Sequence, residues 1–247
     1  MKYLTIDTTT KITALALAED GKLVGEGFLH TAKTHSERLI PMLDQLLTAA
    51  AWKLAELDFI AVVRGPGSFT GIRIGIATAQ GLAQVLKIPV FGITSLDTLA
   101  WAGRGRPEEV VVLLDARKNE YYYARYRFIE SKECVDGPTA VTPQALLDIL
   151  TQTEQSFYFV GDAVPAAQKY LTKTLGSRAI IPLEYQYLPR GAYAAFEAWQ
   201  QWNKFKDQNR SALYTVEPFY IRMSEAEVNY RKKNNLPLDF QISCRKI

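Results

Sequence analysis

Two stretches of this sequence combine residue types that handle phosphate. The first is Asp7 followed by Thr8, Thr9 and Thr10, at the end of the apolar run Tyr3 to Ile6. Backbone N–H groups and hydroxyls in such a turn meet phosphate oxygens, and the carboxylate can orient a metal-bound water. The same residues equally make a turn whose Asp and Thr side chains bond their own backbone, and on local grounds that is the simpler reading. The second stretch is Arg64-Gly65-Pro66-Gly67-Ser68-Phe69-Thr70-Gly71-Ile72-Arg73-Ile74-Gly75, which follows the apolar run Phe59 to Val63 and feeds a helix. Glycine allows close backbone approach, and a helix N-terminus favours anions. No Lys-Ser/Thr pair follows the glycines, which excludes a Walker A loop, and the four-residue step from Gly67 to Gly71 does not fit a dinucleotide fingerprint. Asp7, Thr9, Thr10, Gly65 and Gly67 are therefore the candidate nucleotide-type positions. The alternative is a tight turn in which Gly71 and Gly75 let the helix pack closely on a neighbour.

Other chemistry is sparse. His30 and His35 straddle a loop rather than sharing a helix face, so a surface or capping role is expected and no metal site. No Ser-His-Asp or Cys-His arrangement stands out. Tyr121, Tyr122 and Tyr123 could stack on bases, although alternation on a strand explains them as part core and part sheet face. Cys134 and Cys244 are far apart, which fits a reducing cytoplasm better than a disulfide framework. The start of the chain lacks the long apolar core of a signal peptide, and no apolar run reaches the ~20 residues of a membrane helix. A cytoplasmic protein without membrane contact is expected. The net charge of +3 over 247 residues is compatible with an acidic partner but does not require one.

The elements that must position these residues alternate in type. Ile12 to Ala18 and Leu23 to Leu29 read as strands joined at Asp20-Gly21. Ser36 begins a helix with a Leu39, Leu43, Leu46 stripe, which Pro41 should kink or split after its first turn. Gly65 to Gly71 reads as a loop and Ile72 to Leu86 as a small-residue helix. Ile88 to Ile93 is a strand, and Ser95 caps a short helix. Gly103 to Pro107 breaks the pattern and divides the chain into lobes 1–102 and 103–228, with a basic tail at 229–247 whose default is mobility. Val110 to Leu114 is a strand ending in Asp115, followed by a turn and the strand Glu120 to Phe128. Ile6-Asp7 and Leu114-Asp115 thus open two similar units. Helix 143–150, strand 157–160, helix 166–175 and helical spacing through Ala192, Phe196, Trp199 and Trp202 complete the chain.

In order along residues 6–227, the segments IDTTT, HSERLIP, RGPGSFTGIRIG, TSLDTLA, DARKNEYYYA and EPFYIRMSEAE resemble the TsaB family, also called YeaZ. The resemblance implies an α/β fold of the sugar kinase/Hsp70/actin type, an actin-like ATPase fold with two related lobes of which the second is reduced. It implies a role in forming N6-threonylcarbamoyladenosine at position 37 of tRNAs that read codons starting with A. The catalytic step would belong to TsaD and the ATPase to TsaE. This chain would be a non-catalytic scaffold, a homodimer alone, meeting tRNA indirectly, with no tightly bound cofactor and room for ATP or ADP at the joint with TsaD. The Leu stripe of the first helix and a face of the second, namely Leu39, Leu43, Leu46, Ile72, Ile76, Ala79, Gln80 and Ala83, would form the partner or dimer interface, unless these positions only pack on their own sheet. Other readings are an actin-fold ATPase or kinase acting through Asp7, a metal-dependent peptidase, and an RNA-binding module using the basic tail.

Overall fold

A computed structural model describes residues 1–205, 215–223 and 225–234, leaving aside the side chains of 205 and 225–227. The chain begins with β1 (Lys2–Asp7), β2 (Thr13–Glu19) and β3 (Lys22–Leu29), followed by α1 (His35–Ala49), β4 (Phe59–Val63), α2 (Phe69–Leu86), β5 (Val90–Ile93) and α3 (Ser95–Ala100). The second half runs β6 (Glu109–Asp115), β7 (Tyr121–Phe128), β8 (Lys132–Val141), α4 (Pro143–Leu150), β9 (Phe157–Val160), α5 (Val164–Leu175) and β10 (Ala179–Ile180). It ends with α6 (Glu184–Tyr187), α7 (Gly191–Phe205) and α8 (Glu225–Lys233).

Each half builds a five-stranded sheet, with orders β3-β2-β1-β4-β5 and β10-β9-β6-β7-β8. Position by position the two orders are the same. β1 and β6 are central, each with an antiparallel hairpin partner on one side and a parallel crossover strand on the other. The faint echo of Asp7 and Asp115 is therefore a true duplication, and the fold is an α/β architecture of two related lobes. The second copy is reduced: α4 has 8 residues against 15 in α1, and β10 has 2 against 4 in β5.

The first sheet is covered on both faces, which is why its central strands read as unbroken apolar runs. Leu4, Ile6, Leu15 and Leu17 face α1 and α2. Tyr3, Phe59, Phe91 and Trp202 stack on the other face, where Phe59 and Trp202 lie parallel with centroids 4.3 Å apart. That second cover is α7. Residues 191–205 fall by sequence in the 103–228 segment, yet this helix packs on β1 and β2. The second sheet shares its core with Leu96 and Leu99 of α3.

Two devices join the halves. Lys132 on β8 reaches both Asp97 (3.0 Å) on α3 and Glu197 (2.6 Å) on α7, and the Trp101 indole N–H donates to the same Glu197 oxygen. The strap 215–223 crosses from one core to the other. Val216 packs in the first, Phe219 and Ile221 in the second, and the Phe219 N–H donates to the Arg64 carbonyl at 2.8 Å.

Several expected boundaries move. Thr34, not Ser36, caps α1, its N–H donating to Glu37 Oε2 at 2.8 Å in a capping box. Pro41 does not split the helix, because the carbonyl it orphans is that of solvent-exposed Glu37. Ser68 caps α2, so helix replaces part of the expected loop. β8 gave no strand signal, with Gly137-Pro138 and three charged side chains on a sheet edge. The start of the basic tail, 229–233, is the end of α8, while 235–247 lies outside the described residues.

Glu197 is almost fully buried. Glu197→Ala should leave the Trp101 N–H without its acceptor and Lys132 with Asp97 alone in a low-dielectric site, and lower unfolding free energy by about 2 kcal/mol. Urea denaturation at neutral pH measures this, and a loss under about 1 kcal/mol would show that the junction is not needed.

Candidate functional site

A cleft of about 480 Å³ opens where the β1–β2 turn, the start of α2, the β6–β7 turn and the strap meet. Asp7 does not reach it as a free base. Its Oδ1 accepts from the Thr9 N–H at 2.9 Å and from Thr9 Oγ1 at 2.7 Å, and its side chain is buried. Burial pushes the Asp7 carboxyl up, against the pull of the two Thr9 hydrogen bonds. Asp115 repeats the pattern, its Oδ1 accepting from the Arg117 N–H at 2.8 Å. Both acids thus cap their own turns.

The glycines of the second stretch serve packing. A Cβ on Gly71 would overlap the Thr8 carbonyl oxygen, and one on Gly67 the Thr9 carbonyl oxygen. The Ser68 N–H donates to Thr9 O at 2.6 Å and Thr8 Oγ1 donates to Gly71 O at 2.6 Å. The glycine-rich stretch therefore clamps α2 onto the β1–β2 turn. Gly65 lies against the strap, beside Phe219.

His35 ties the same turn to α1. Its Nε2 donates to the Thr10 carbonyl at 2.9 Å, while Nδ1 accepts from Thr13 Oγ1 at 2.7 Å, which assigns the neutral Nε2–H tautomer. Burial pushes its pKa down despite the Thr10 bond, and nearby Arg38 adds to the drop. Arg38 donates to Thr31 O and Lys11 O at 3.1 and 2.7 Å. Among the described residues no three His, Cys, Asp or Glu side chains converge as a metal site needs.

The expected partner face needs correction. Leu39, Leu43, Ile72, Ile76, Ala79 and Ala83 are buried in the chain's own first core. Leu46 and Gln80 are half-buried. These helices must cover a sheet, so their apolar stripes face inward. The outward stripe of α2 is Arg73, Ala77, Gly81 and Val85, spaced by four, with Val85 81% exposed. On α1, Ile40 is 50% exposed.

Sequence inspection missed several cleft residues. Phe69 and Tyr220 stack with centroids 5.0 Å apart, and the Arg73 guanidinium lies 3.9 Å over the Phe69 ring. Arg222 pairs with Glu120. Tyr121 and Tyr123 point into the core, and only the half-buried Tyr122 lines the cleft. Asp162 follows β9 and accepts from the Asp115 N–H at 3.1 Å. Its carboxyl is pushed up to about 6, first by burial, with Asp115 adding repulsion while Lys11 and Arg117 oppose the shift. The duplicated strand order could have flagged it, since β9 occupies the place of β4, which ends at the glycine-rich stretch.

Comparison with known proteins matches residues 29–230 to the family described as TsaD, tRNA N6-adenosine threonylcarbamoyltransferase. The chain is 31% identical over 244 residues to the tRNA threonylcarbamoyladenosine biosynthesis protein TsaB of Haemophilus influenzae, covering 94% of this chain and 97% of that one. Against the Bacillus subtilis TsaB the figures are 29% over 231 residues, 93% and 98%. A Pseudomonas aeruginosa crystal structure, described as an uncharacterized protein with similarity to peptidase YeaZ, superposes with a TM-score of 0.72 at 26% identity, covering 90% of this chain and 99% of that one.

Two measurements follow from the geometry. Gly71→Ala should cost about 1–3 kcal/mol, because the Thr8 carbonyl leaves the new methyl no room; an unchanged thermal midpoint would refute the clamp. Asp162 titrates higher folded than unfolded, so its ionisation costs stability: nothing below pH ~4, and in full once the pH has risen past about 6. Asp162→Asn, which keeps the acceptor for Asp115, should therefore gain about 1–2 kcal/mol at pH 7.5 and nothing at pH ~4. A gain independent of pH would contradict the assignment.

Proposed function

Since the chain belongs to the TsaB family, we propose that it is a non-catalytic scaffold subunit in the formation of threonylcarbamoyladenosine at position 37 of tRNA. A TsaD homologue would carry the transfer and a TsaE homologue the ATPase step. The observation that carries this division of labour is the state of Asp7. It is buried and capped by Thr9, so the group that a hydrolytic actin-like enzyme would aim at a water is committed to its own turn. ATP or ADP would then sit, if anywhere, at the joint with TsaD rather than as this chain's own cofactor, and the complex would work in the cytoplasm. No helix among the described residues is long and apolar enough to cross a membrane.

The partner would meet the outward stripe of α2, joined by exposed positions of α1 such as Ile40. Small residues at Ala77 and Gly81 let a second helix approach closely, and Val85 offers exposed apolar area. The same stripe would serve a homodimer, so the two assemblies would compete. Ala79→Glu would not test this, because Ala79 is fully buried in the chain's own core and the charge would unfold it.

Ala77→Glu is the proper probe. It should leave the melting temperature within a few degrees of wild type and weaken both the homodimer and the complex with TsaD by more than tenfold, through a buried unpaired charge at the new interface. Gel filtration and sedimentation with purified TsaD measure it, and normal assembly of the variant would move the interface elsewhere. Mg-dependent ATP hydrolysis by the isolated chain should stay at background; turnover that Asp7→Asn abolishes would favour an actin-fold ATPase or kinase instead.

A further inference from the structure

Beside the cleft lies a second depression of about 520 Å³, formed by the β3–α1 loop and sharing Lys11 and His35 with it. Its lining contains Lys11, His30, Lys33 and Arg38 and no acidic residue. Lys11, His30 and Lys33 are exposed, while Arg38 is committed to holding the loop. The two depressions therefore adjoin, and a basic track leads from the loop into the cleft. At the cleft mouth the track meets the stacked Phe69–Tyr220 wall and the half-buried Tyr122, with Lys118 on the opposite turn.

The floor of the cleft has a different character. Asp115 and Asp162 are linked there, and Arg117 is drawn to Asp115 at 3.4 Å. The donors expected to hold a polyphosphate are turned inward: the Thr8 hydroxyl to Gly71 O, the Thr9 hydroxyl to Asp7, and the Ser68 N–H to Thr9 O. A di- or triphosphate group on that floor would face two carboxylates without those donors. A phosphodiester strand asks for less: separated cations along its path, and a ring on which an unstacked base can lie.

We propose that the basic depression carries the backbone of a single-stranded RNA segment past Lys33 and Lys11, and that the cleft mouth receives one of its unpaired bases beside Tyr220 and Tyr122, Phe69 being already stacked by Tyr220 and Arg73. This rests on the tRNA-modification role above and deepens it: the scaffold touches the substrate itself. The tRNA then bridges the subunits instead of binding to the transferase alone.

The test uses the full chain, alone and with purified TsaD, and an unmodified tRNA transcript whose anticodon reads codons starting with A. Affinity is measured by anisotropy across a salt series. K11Q/K33Q should weaken binding by at least about fivefold and lower the slope of log K against log salt by about 1.4, the value for two single-strand phosphate contacts. The control K22Q/K53Q removes two exposed lysines elsewhere on the first lobe and should change neither. K118Q, on a different element, should weaken binding on its own. Equal losses in the control would mean diffuse electrostatics, and no loss in any variant would mean no contact; either result overturns the proposal. Saturable ADP binding that K11Q/K33Q abolishes, with tRNA affinity untouched, assigns the cleft to a free nucleotide and also overturns it. Gel filtration of the same variants with TsaD separates the outcomes. Wild-type chain that fails to assemble with TsaD counts against the scaffold role, whereas normal assembly with unchanged tRNA affinity counts only against the RNA track.

Discussion

Where the β1–β2 turn meets the start of α2, two stretches of main chain approach so closely that no Cβ fits between them. The carbonyls of Thr8 and Thr9 face Gly71 and Gly67, and the Thr8 hydroxyl and Ser68 N–H close the contact with hydrogen bonds. Interiors are packed too densely to absorb a shift of this kind locally. The clamp therefore fixes the angle at which α2 leaves the sheet, and with it both the outward stripe of that helix and the Phe69 wall of the cleft. A motif that looks like a phosphate cradle is the anchor of the first lobe.

The duplicated sheets are joined by further ties beyond their shared core. The Lys132–Asp97–Glu197 junction and the 215–223 strap supply them. The strap also explains the EPFYIR motif. Phe219 and Ile221 enter the second core, Tyr220 lies on Phe69 of α2, and Arg222 pairs with Glu120 beside the β6–β7 turn. Any partner that engages α2 therefore touches an element bonded to the cleft through Arg73, whose Nε donates to the Tyr220 hydroxyl at 3.2 Å.

The two acids that open the duplicated units illustrate how a fold can keep a residue and change its work. Asp7 and Asp115 both cap the residue two positions on, which stabilises the turn, but only Asp7 is buried, and Asp115 stays exposed in the cleft. Asp162 is different. It holds the Asp115 N–H but is pushed up to about 6, so its charge is carried at a cost near neutral pH. Groups kept in such a state cluster at sites that meet ligands, and here it lies in the cleft.

The amino-acid sequence by itself determined the order of most strands and helices, though not β8 or β10, and carried the echo of the duplication and the family. These follow from periodicity and from motifs whose residues are adjacent in the chain: Phe59 to Val63 and Phe157 to Val160 were legible as strands to the residue. It left the Asp7 turn open between phosphate handling and self-capping. Only the tertiary structure decided that, since the capping bonds depend on an exact backbone turn. It also decided which side of α1 and α2 faces out, because an apolar stripe is the same whether it meets its own sheet or a partner. The return of α7 to the first sheet, the Lys132 junction and the Asp162–Asp115 contact join residues separated by 35 to 192 positions. No local pattern encodes such pairings; they exist because two sheets of one order, folded from one chain, must share a boundary.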